Sequence, residues 1–226
     1  MIRIEEVAVF GWQSAIRGMR NPMKSWNKSD SGIVDCDSQL CETCMLHHLE
    51  NCTDYSNQYY IGTNDLKLMK NLVKAGNDHS KFMRMINVTM DITAPLYWWK
   101  EFDTYKVGTV ANSCSTMHKI HAKEFTLDDF SHDKLSSGGL DVLNGIIVEL
   151  NFARKWFVET KNKQFWWNMI QLLPSSYNQK RTVQLNYAVL RNMYHSRRNH
   201  KLDEWVEFCK WIETLPYSEL ITNKGD

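Results

Sequence analysis

Residues 86–96 read INVTMDITAPL, and this segment decides the fold. Apolar and polar side chains alternate through its first seven residues, which is typical of a β-strand with one buried face. Pro95 then suits the first turn of a helix, where its missing N–H group costs no hydrogen bond. The segment therefore predicts a half-buried strand over residues 86–92 that leads into a helix over residues 96–105.

Outward from this segment, the sequence pattern predicts mainly helices. Residues 1–10 alternate weakly and predict a strand, whereas the polar residues 106–117 predict a loop. A helix that begins near Asn64 ends at Gly76, a common helix terminator. Further helices are predicted over residues 13–23, 141–160, 164–173, 182–197 and 202–215. The pattern favours an α+β fold with a central sheet and packed helices, as one domain over residues 1–226 with a Cys-rich insertion at about 27–60.

The composition restricts the class of function. The 226 residues carry 27 Lys and Arg against 26 Asp and Glu, a net charge of +1. This balance argues against general nucleic-acid binding, which needs a basic excess to release counterions. The longest apolar stretch, around residues 94–99, is too short to span a bilayer, and acidic residues occupy the place of a signal peptide's apolar segment. We therefore expect a cytoplasmic protein with no membrane contact.

Four of the six cysteines lie close together in the polar insertion: Cys36, Cys41, Cys44 and Cys52. Clustered thiols in a reducing compartment are typical of metal ligands. The middle pair has the two-residue gap of a zinc knuckle, and the outer pair would complete a tetrahedron. The outer cysteines are single rather than paired, so an insertion with incidental thiols is the alternative interpretation.

Two polar regions have the composition of an anion site. The loop over residues 104–118 gathers a cation, a glycine and several hydroxyl groups, which suits a phosphate or a sugar, although such residues also form ordinary turns. Residues 191–200 hold several arginines and histidines. Arginine forks bind phosphate, but cations in the last turn of a helix also complement its dipole.

Aromatic residues make up 12% of the chain. Four of them, Tyr97, Trp98, Trp99 and Tyr105, lie on the segment that leads into the polar loop. Their rings either fill the core or stack on a ligand base. Charged residues follow in the same segment, and Asp103 is expected to pair with Lys106 at i,i+3 spacing.

The order of these pieces resembles flavin-dependent thymidylate synthases. Residues 14–20, SAIRGMR, resemble the early serine-plus-arginine helix of that family, and residues 68–76 resemble the helix ahead of its central strand. Residues 86–96 are similar to the strand and helix that deliver its signature loop. The LLP of residues 172–174 and the helices over residues 182–212 resemble the family's final part. The resemblance covers most of the chain in order, except the Cys-rich insertion.

The chain departs from the family at the signature motif. The arginine-histidine-arginine triplet falls on residues 104–106, its last arginine falls on Thr116, and another family arginine falls on Ile170. Lys106 and Thr109 keep the chemical type of the family residue. Most of the charge-assisted pairs that would fix a nucleotide and a flavin are therefore missing from this sequence.

The resemblance implies a nucleotide ligand, a homotetramer with sites between chains, and FAD as a possible cofactor. The residues predicted to bind the nucleotide are Lys106, Thr109, Asn112, Ser113, Ser115, Arg191, Arg197 and Arg198. The residues predicted to bind the cofactor are Ser14, Arg17, His79 and Tyr105.

Three functions are compatible with the sequence. The first is a divergent flavin-dependent thymidylate synthase-like enzyme that acts on a pyrimidine nucleotide, by methyl transfer to dUMP or a related reaction. The second is a protein on the same scaffold that binds or sequesters a nucleotide without catalysis. The third is a regulatory module in which the cysteines hold zinc and mediate a protein contact.

Overall fold

The structure of the protein is a computed structural model that describes residues 2–34 and 58–223. Within these residues the strands are β1 (Arg3–Phe10), β2 (Gly32–Val34), β3 (Gln58–Tyr60), β4 (Asn87–Pro95), β5 (Val110–Ser113) and β6 (Asn178–Asn186). The helices are α1 (Trp12–Arg20), α2 (Thr63–Lys74), α3 (Leu96–Phe102), α4 (Thr116–Lys119), α5 (Ser137–Thr160), α6 (Lys163–Leu172), α7 (Tyr187–Arg197), α8 (Asp203–Ile212) and α9 (Glu219–Thr222). Short 3-10 turns lie at Asn21–Met23, Trp26–Lys28, Lys81–Met85 and Leu127–Asp129.

Strand β4 is central, as residues 86–96 predict. The sheet order is β1-β4-β6-β5, all antiparallel, and β2 pairs with β3 separately. Val88, Met90 and Ile92 are buried, while the residues between them are half-exposed, so the predicted alternation is confirmed. Pro95 ends β4 and is the N-cap of α3, where it needs no N–H partner.

Strands β5 and β6 correct the prediction for two other segments. Residues 106–117 were predicted as a loop but contain β5, which pairs with β6. The helix predicted over residues 182–197 begins only at Tyr187, because the first residues belong to β6, where Val183 and Leu185 alternate into the core. Asn186 separates strand from helix: its side chain accepts a hydrogen bond from the backbone N–H of Val189.

The main core lies between the inner face of this sheet and helices α1, α2, α3, α7 and α8. Trp98 and Trp99 are completely buried in it, and the indole N–H of Trp99 donates to the carbonyl of Gln179. The interpretation that these two rings stack on a ligand is therefore wrong. Their apolar surface instead stabilises the contact of α3 with α8, since Trp98 packs on Trp205 and Phe208.

A second, smaller core holds the hairpin of α5 and α6 together. Its buried members are Ile120, Phe125, Phe130, Leu143, Leu150, Ala153 and Met169. The isolated bridge between Phe130 and Tyr177 joins this region to the residues that enter β6.

The start of the predicted insertion is fixed by a buried ion pair. Arg20 Nε donates to Asp65 Oδ1 at 2.6 Å, and both side chains are buried. Burial alone would raise the pKa of Asp65, but hydrogen bonds from Ser29, Ser31 and Arg20 hold it below its usual value. The chain on the N-terminal side of β2 is therefore tied to α2. The single-domain organisation over residues 1–226 stays a prediction.

In the part of the chain that the structure describes, no helix is long and apolar enough to cross a lipid bilayer.

Candidate functional site

The site that we consider is built around Arg197, at the end of α7. Its Nε donates to the hydroxyl of Tyr105 at 2.9 Å, and its Nη1 donates to Glu101 Oε2 at 2.6 Å. The guanidinium also lies over the rings of Tyr105 and Trp205, at 5.7 and 5.1 Å from their centroids. Arg197 is thus held by a carboxylate, a phenol and an indole, from α3, the turn that follows α3, and α8.

His200 completes the cluster, and both of its ring nitrogens face a donor. The backbone N–H of Leu202 donates to His200 Nδ1 at 3.2 Å. His200 Nε2 lies 3.0 Å from Arg197 Nη1 and 3.3 Å from Glu101 Oε2. Glu101 Oε2 therefore lies against both the guanidinium of Arg197 and the ring of His200.

Local chain geometry brings Tyr105 back toward Arg197. Helix α3 ends with a tight turn in which the backbone N–H of Tyr105 donates to the carbonyl of Phe102 at 3.0 Å. The hydroxyl of Thr104 donates to the carbonyl of Glu101 at 2.7 Å. These bonds pair carbonyls that have no hydrogen-bond donor within the helix, because they lie at its C-terminal end.

Gly108 then lets the loop pass close to the start of α7. Its φ of +78° is unfavourable for any residue with a side chain, and a Cβ there would lie 2.9 Å from Asn186 Nδ2. Asn186 is itself the cap of α7. The glycine therefore sets the position of the loop relative to the helix that carries Arg197.

A small pocket of about 180 Å³ adjoins the cluster. It is lined by Phe102, Asp103, Tyr105, Lys106, Thr109 and Ala111. The hydroxyl of Thr109 is buried and has no hydrogen-bond partner among the described residues. A buried polar group of this kind is able to bind a ligand or a water molecule. Ligand pockets are usually about 300 to 1,000 Å³, so this one suits part of a small molecule.

Charges around the pocket are mostly compensated. Asp103 does not pair with Lys106 as expected; Arg181 Nη1 donates to its Oδ1 at 2.7 Å instead, because β6 places Arg181 against Trp99, 4.2 Å from its ring centroid. Lys106 is exposed and makes no ion pair with any residue of the described ranges. It is the cation of this pocket that is available to an anion.

The structure separates the arginines that were predicted to act together. Arg191 Nη1 donates to the carbonyls of Leu220, Ile221 and Asn223, at 3.2, 3.5 and 2.7 Å. Arg191 and Arg198 are seven residues apart and share one face of α7, whereas Arg197 points to another face. Only Arg197 of the three contacts the site.

The remaining residues predicted to bind a nucleotide lie outside the cluster. Asn112 and Ser113 are exposed on β5, opposite Thr182 and Arg181 of β6. Ser115 caps α4, and its hydroxyl accepts from the backbone N–H of His118. Their role in ligand binding stays a prediction.

The residues predicted to hold a flavin lie at two places in the described part of the chain. Ser14 and Arg17 lie exposed on α1, and neither lines the nearby cleft. His79 lines that cleft, which has a volume of about 1180 Å³ and lies between α1 and α2. Tyr105 belongs to the Arg197 cluster. The role of these four residues in cofactor binding stays a prediction.

The predicted zinc site lies outside the described residues. Cys36, Cys41, Cys44 and Cys52 fall between residues 34 and 58, and zinc there stays a prediction. Within residues 2–34 and 58–223, no three His, Cys, Asp or Glu side chains are placed to hold a metal ion.

Sequence reasoning missed Glu101 and Trp205 as partners of Arg197, whereas His200 was in the predicted basic cluster. Glu101 reaches Arg197 from a segment 96 residues away, and Trp205 reaches it from the next helix. The available signal was the density of charged residues within the aromatic segment at 100–106, because a charge beside packed rings needs a partner.

Known proteins were compared with the chain. No protein family and no curated protein matches its sequence. The crystal structure of flavin-dependent thymidylate synthase ThyX from Helicobacter pylori, complexed with FAD and dUMP, is similar over 97% of each chain, with a TM-score of 0.63 and 16% identity. A second ThyX structure from Helicobacter pylori, with FAD and dUMP, is similar over 98% of this chain and 97% of that one, with a TM-score of 0.64 and 15% identity. The chain therefore has the flavin-dependent thymidylate synthase fold, as its resemblance implies.

Proposed function

We propose that the protein binds a pyrimidine nucleotide at the Arg197 cluster. The observation that carries this proposal is an unused donor beside an unused acceptor. Arg197 contacts its neighbours through Nε and Nη1, and Glu101 contacts them only through Oε2. No residue in the described ranges bonds to Arg197 Nη2 or Glu101 Oε1, and both side chains are partly exposed.

A pyrimidine with an imide edge matches this pair. Uracil and thymine present a ring N–H donor next to carbonyl acceptors, so the N–H would donate to Glu101 and a carbonyl would accept from Arg197. Cytosine presents an amino group and an unprotonated ring nitrogen at the same edge. Its amino group can also donate and its ring nitrogen can also accept, so the pair fits a pyrimidine edge that places a donor next to an acceptor.

The surroundings support a nucleotide rather than a free base. Lys106 lines the adjoining pocket and is available to a phosphate. The buried hydroxyl of Thr109 offers a further hydrogen bond. Two solved structures of the same fold contain dUMP, which supports the choice of ligand class.

Calorimetric titration of the full chain with dUMP and dCMP tests the proposal. We expect dUMP to bind with measurable affinity, because its edge satisfies both groups, and dCMP measures how strongly the pair prefers the imide edge. Arg197→Met should weaken dUMP binding about a hundredfold, or about 2.7 kcal/mol. Arg154→Met is the matched control, since Arg154 lies on α5 and contacts the carbonyl of His121.

Two results would contradict the proposal. One is the absence of binding by either nucleotide at millimolar concentration. The other is an equal effect of the substitutions at Arg197 and Arg154, which would indicate that the ligand binds elsewhere.

A reaction at the pyrimidine ring, as in a divergent thymidylate synthase-like enzyme, is the second candidate. It is favoured by the contact of Glu101 with His200, two groups able to hold or move a proton next to the open donor and acceptor. Substitution at C5 of the ring releases its hydrogen, so we would measure tritium release from 5-tritiated dUMP with FAD, a folate that carries a methylene group, and a reductant that supplies the hydride. Release that disappears in Glu101→Gln supports catalysis, whereas binding without release leaves the first proposal alone.

A further inference from the structure

Asp103 contributes a carboxylate to the small pocket beside Arg197, and only one oxygen of that carboxylate has a partner. Asp103 Oδ1 accepts from Arg181 Nη1 at 2.7 Å. No residue in the described ranges bonds to Asp103 Oδ2, and the side chain of Asp103 is 52% exposed. The second oxygen is therefore open to a hydrogen-bond donor from a ligand.

Arg181 of β6 holds this carboxylate in place. Its Nε donates to Gln179 Oε1 at 3.0 Å, and its guanidinium lies 4.2 Å from the ring centroid of Trp99. Trp99 is itself buried and donates to the carbonyl of Gln179. Because its partner is fixed between a strand and a helix, Asp103 loses little conformational entropy when a ligand binds.

The pocket has the donors and acceptors that a sugar needs. Asp103 Oδ2 accepts hydrogen bonds, and the buried hydroxyl of Thr109 both donates and accepts. Tyr105 lines the pocket, and its hydroxyl accepts from Arg197 Nε, so the pocket lies directly beside the proposed base site. Its volume of about 180 Å³ equals that of about six molecules of liquid water, which suits a pentose.

A phosphate fits less well than a sugar next to Asp103. A phosphate dianion there meets a like charge, which is unfavourable, whereas a hydroxyl group donates to a carboxylate. Lys106 lines the same pocket but is exposed, so it is able to bind a phosphate on the solvent side. Base, sugar and phosphate then each have a separate partner.

We propose that this pocket holds the sugar of the nucleotide and that Asp103 selects a ribonucleotide over a 2′-deoxyribonucleotide. The inference rests on the proposed function, because the base at Arg197 and Glu101 brings the sugar to the pocket. The 2′ and 3′ hydroxyl groups of ribose are neighbours on one side of the ring, and Oδ2 has lone pairs for both. A carboxylate binds the ribose of dinucleotides in a similar way. The two solved structures of the same fold contain a deoxyribonucleotide, dUMP, so this preference separates the chain from them.

Calorimetric titration of the full chain with UMP and dUMP tests the proposal. We expect UMP to bind at least about tenfold more tightly, because a site that bonds a hydroxyl group discriminates against the analogue that lacks it. The 2′-fluoro analogue of dUMP has a polar substituent at the same carbon but donates no hydrogen bond there. It should therefore bind like dUMP.

Asp103→Asn tests whether this residue is the cause. The amide keeps an acceptor for Arg181 and removes the charge, so the preference for UMP should fall to about threefold or less. Binding of dUMP by the same variant shows that it is folded. Asp128→Asn is the matched control, since Asp128 is exposed and makes no ion pair with a described residue, and it should leave the preference unchanged.

The possible failures are distinguishable. Equal binding of UMP and dUMP, or tighter binding of dUMP, overturns the ribose preference and leaves the proposed pyrimidine site standing. A fluoro analogue that binds as tightly as UMP, or a preference that persists in Asp103→Asn, excludes a hydroxyl bond to Asp103. If neither nucleotide binds, the proposed function and this inference are both wrong.

Discussion

Helix α7 carries cations on two faces, and the two faces differ in what they bind. On one face, Arg191 donates to three carbonyls at the end of α9. On the other, Arg197 meets a carboxylate and two rings and keeps Nη2 without a described partner. The first face fixes the C-terminal part of the fold, and the second is able to bind a ligand. Proximity of arginines in sequence therefore does not show a shared site.

The largest difference between the faces should appear in stability. Arg191→Met removes charge-assisted bonds to three carbonyls at once, and we expect the free energy of unfolding to fall by about 2 kcal/mol. Arg197→Met should cost about 1 kcal/mol, because its neighbours are closer to solvent. Urea unfolding followed by circular dichroism measures both. Equal losses would mean that the two faces have the same structural role.

Gly108 should matter for the face that carries Arg197, because it sets the position of the loop between α3 and β5. Gly108→Ala is expected to lower the free energy of unfolding by about 1 to 2 kcal/mol and to weaken dUMP binding, because the left-handed backbone is strained and the new Cβ meets Asn186. Gly76→Ala is the matched control: its φ is +101°, and a Cβ there meets nothing within 4 Å. A Gly76 variant that also weakens binding would argue against a local effect of the loop.

The smallest expected effect is a pH dependence on the Arg191 face. Burial, followed by the charges of Arg191 and Arg198, lowers the pKa of His195 below its usual 6.5. Between that lowered pKa and 6.5 the unfolded chain binds a proton that the folded chain does not, so stability falls as the pH drops through this window. His195→Gln should reduce this decrease. Urea unfolding of the original chain and of the His195→Gln variant at about pH 7.5 and about pH 5.5 measures this change. An equal change in the free energy of unfolding for both would exclude His195 as the cause.

The sequence predicted the parts of the fold that have a clear period. Strand β4 and helix α3 follow from the alternation at 86–92 and from Pro95. The beginning of β6 did not, because Val183 and Leu185 also suit the spacing of the following helix. Only the pairing of β6 with β4 and β5 distinguishes these possibilities, and pairing between distant segments is not visible in a local pattern.

The same limit applies to the site. Tyr105, Lys106, Thr109 and Arg197 were predicted as binding residues, and the structure brings them to one region. Arg181 was not, because the sequence pattern assigned it to no strand, so the side of the sheet on which it lies could not be predicted. Contacts such as that of Arg181 with Asp103 depend on how strands and helices meet across the core.

The connection between β5 and β6 has a consequence for how this fold diversifies. The two strands are neighbours in the sheet, and Ser113 lies opposite Arg181. Everything between them, including the α5–α6 hairpin with its own small core, leaves the sheet and returns to the same edge. Such a side arm can lengthen, shorten or be exchanged without rethreading the strands. Changes in the segment between β5 and β6 therefore leave the sheet and the helices around Arg197 in place.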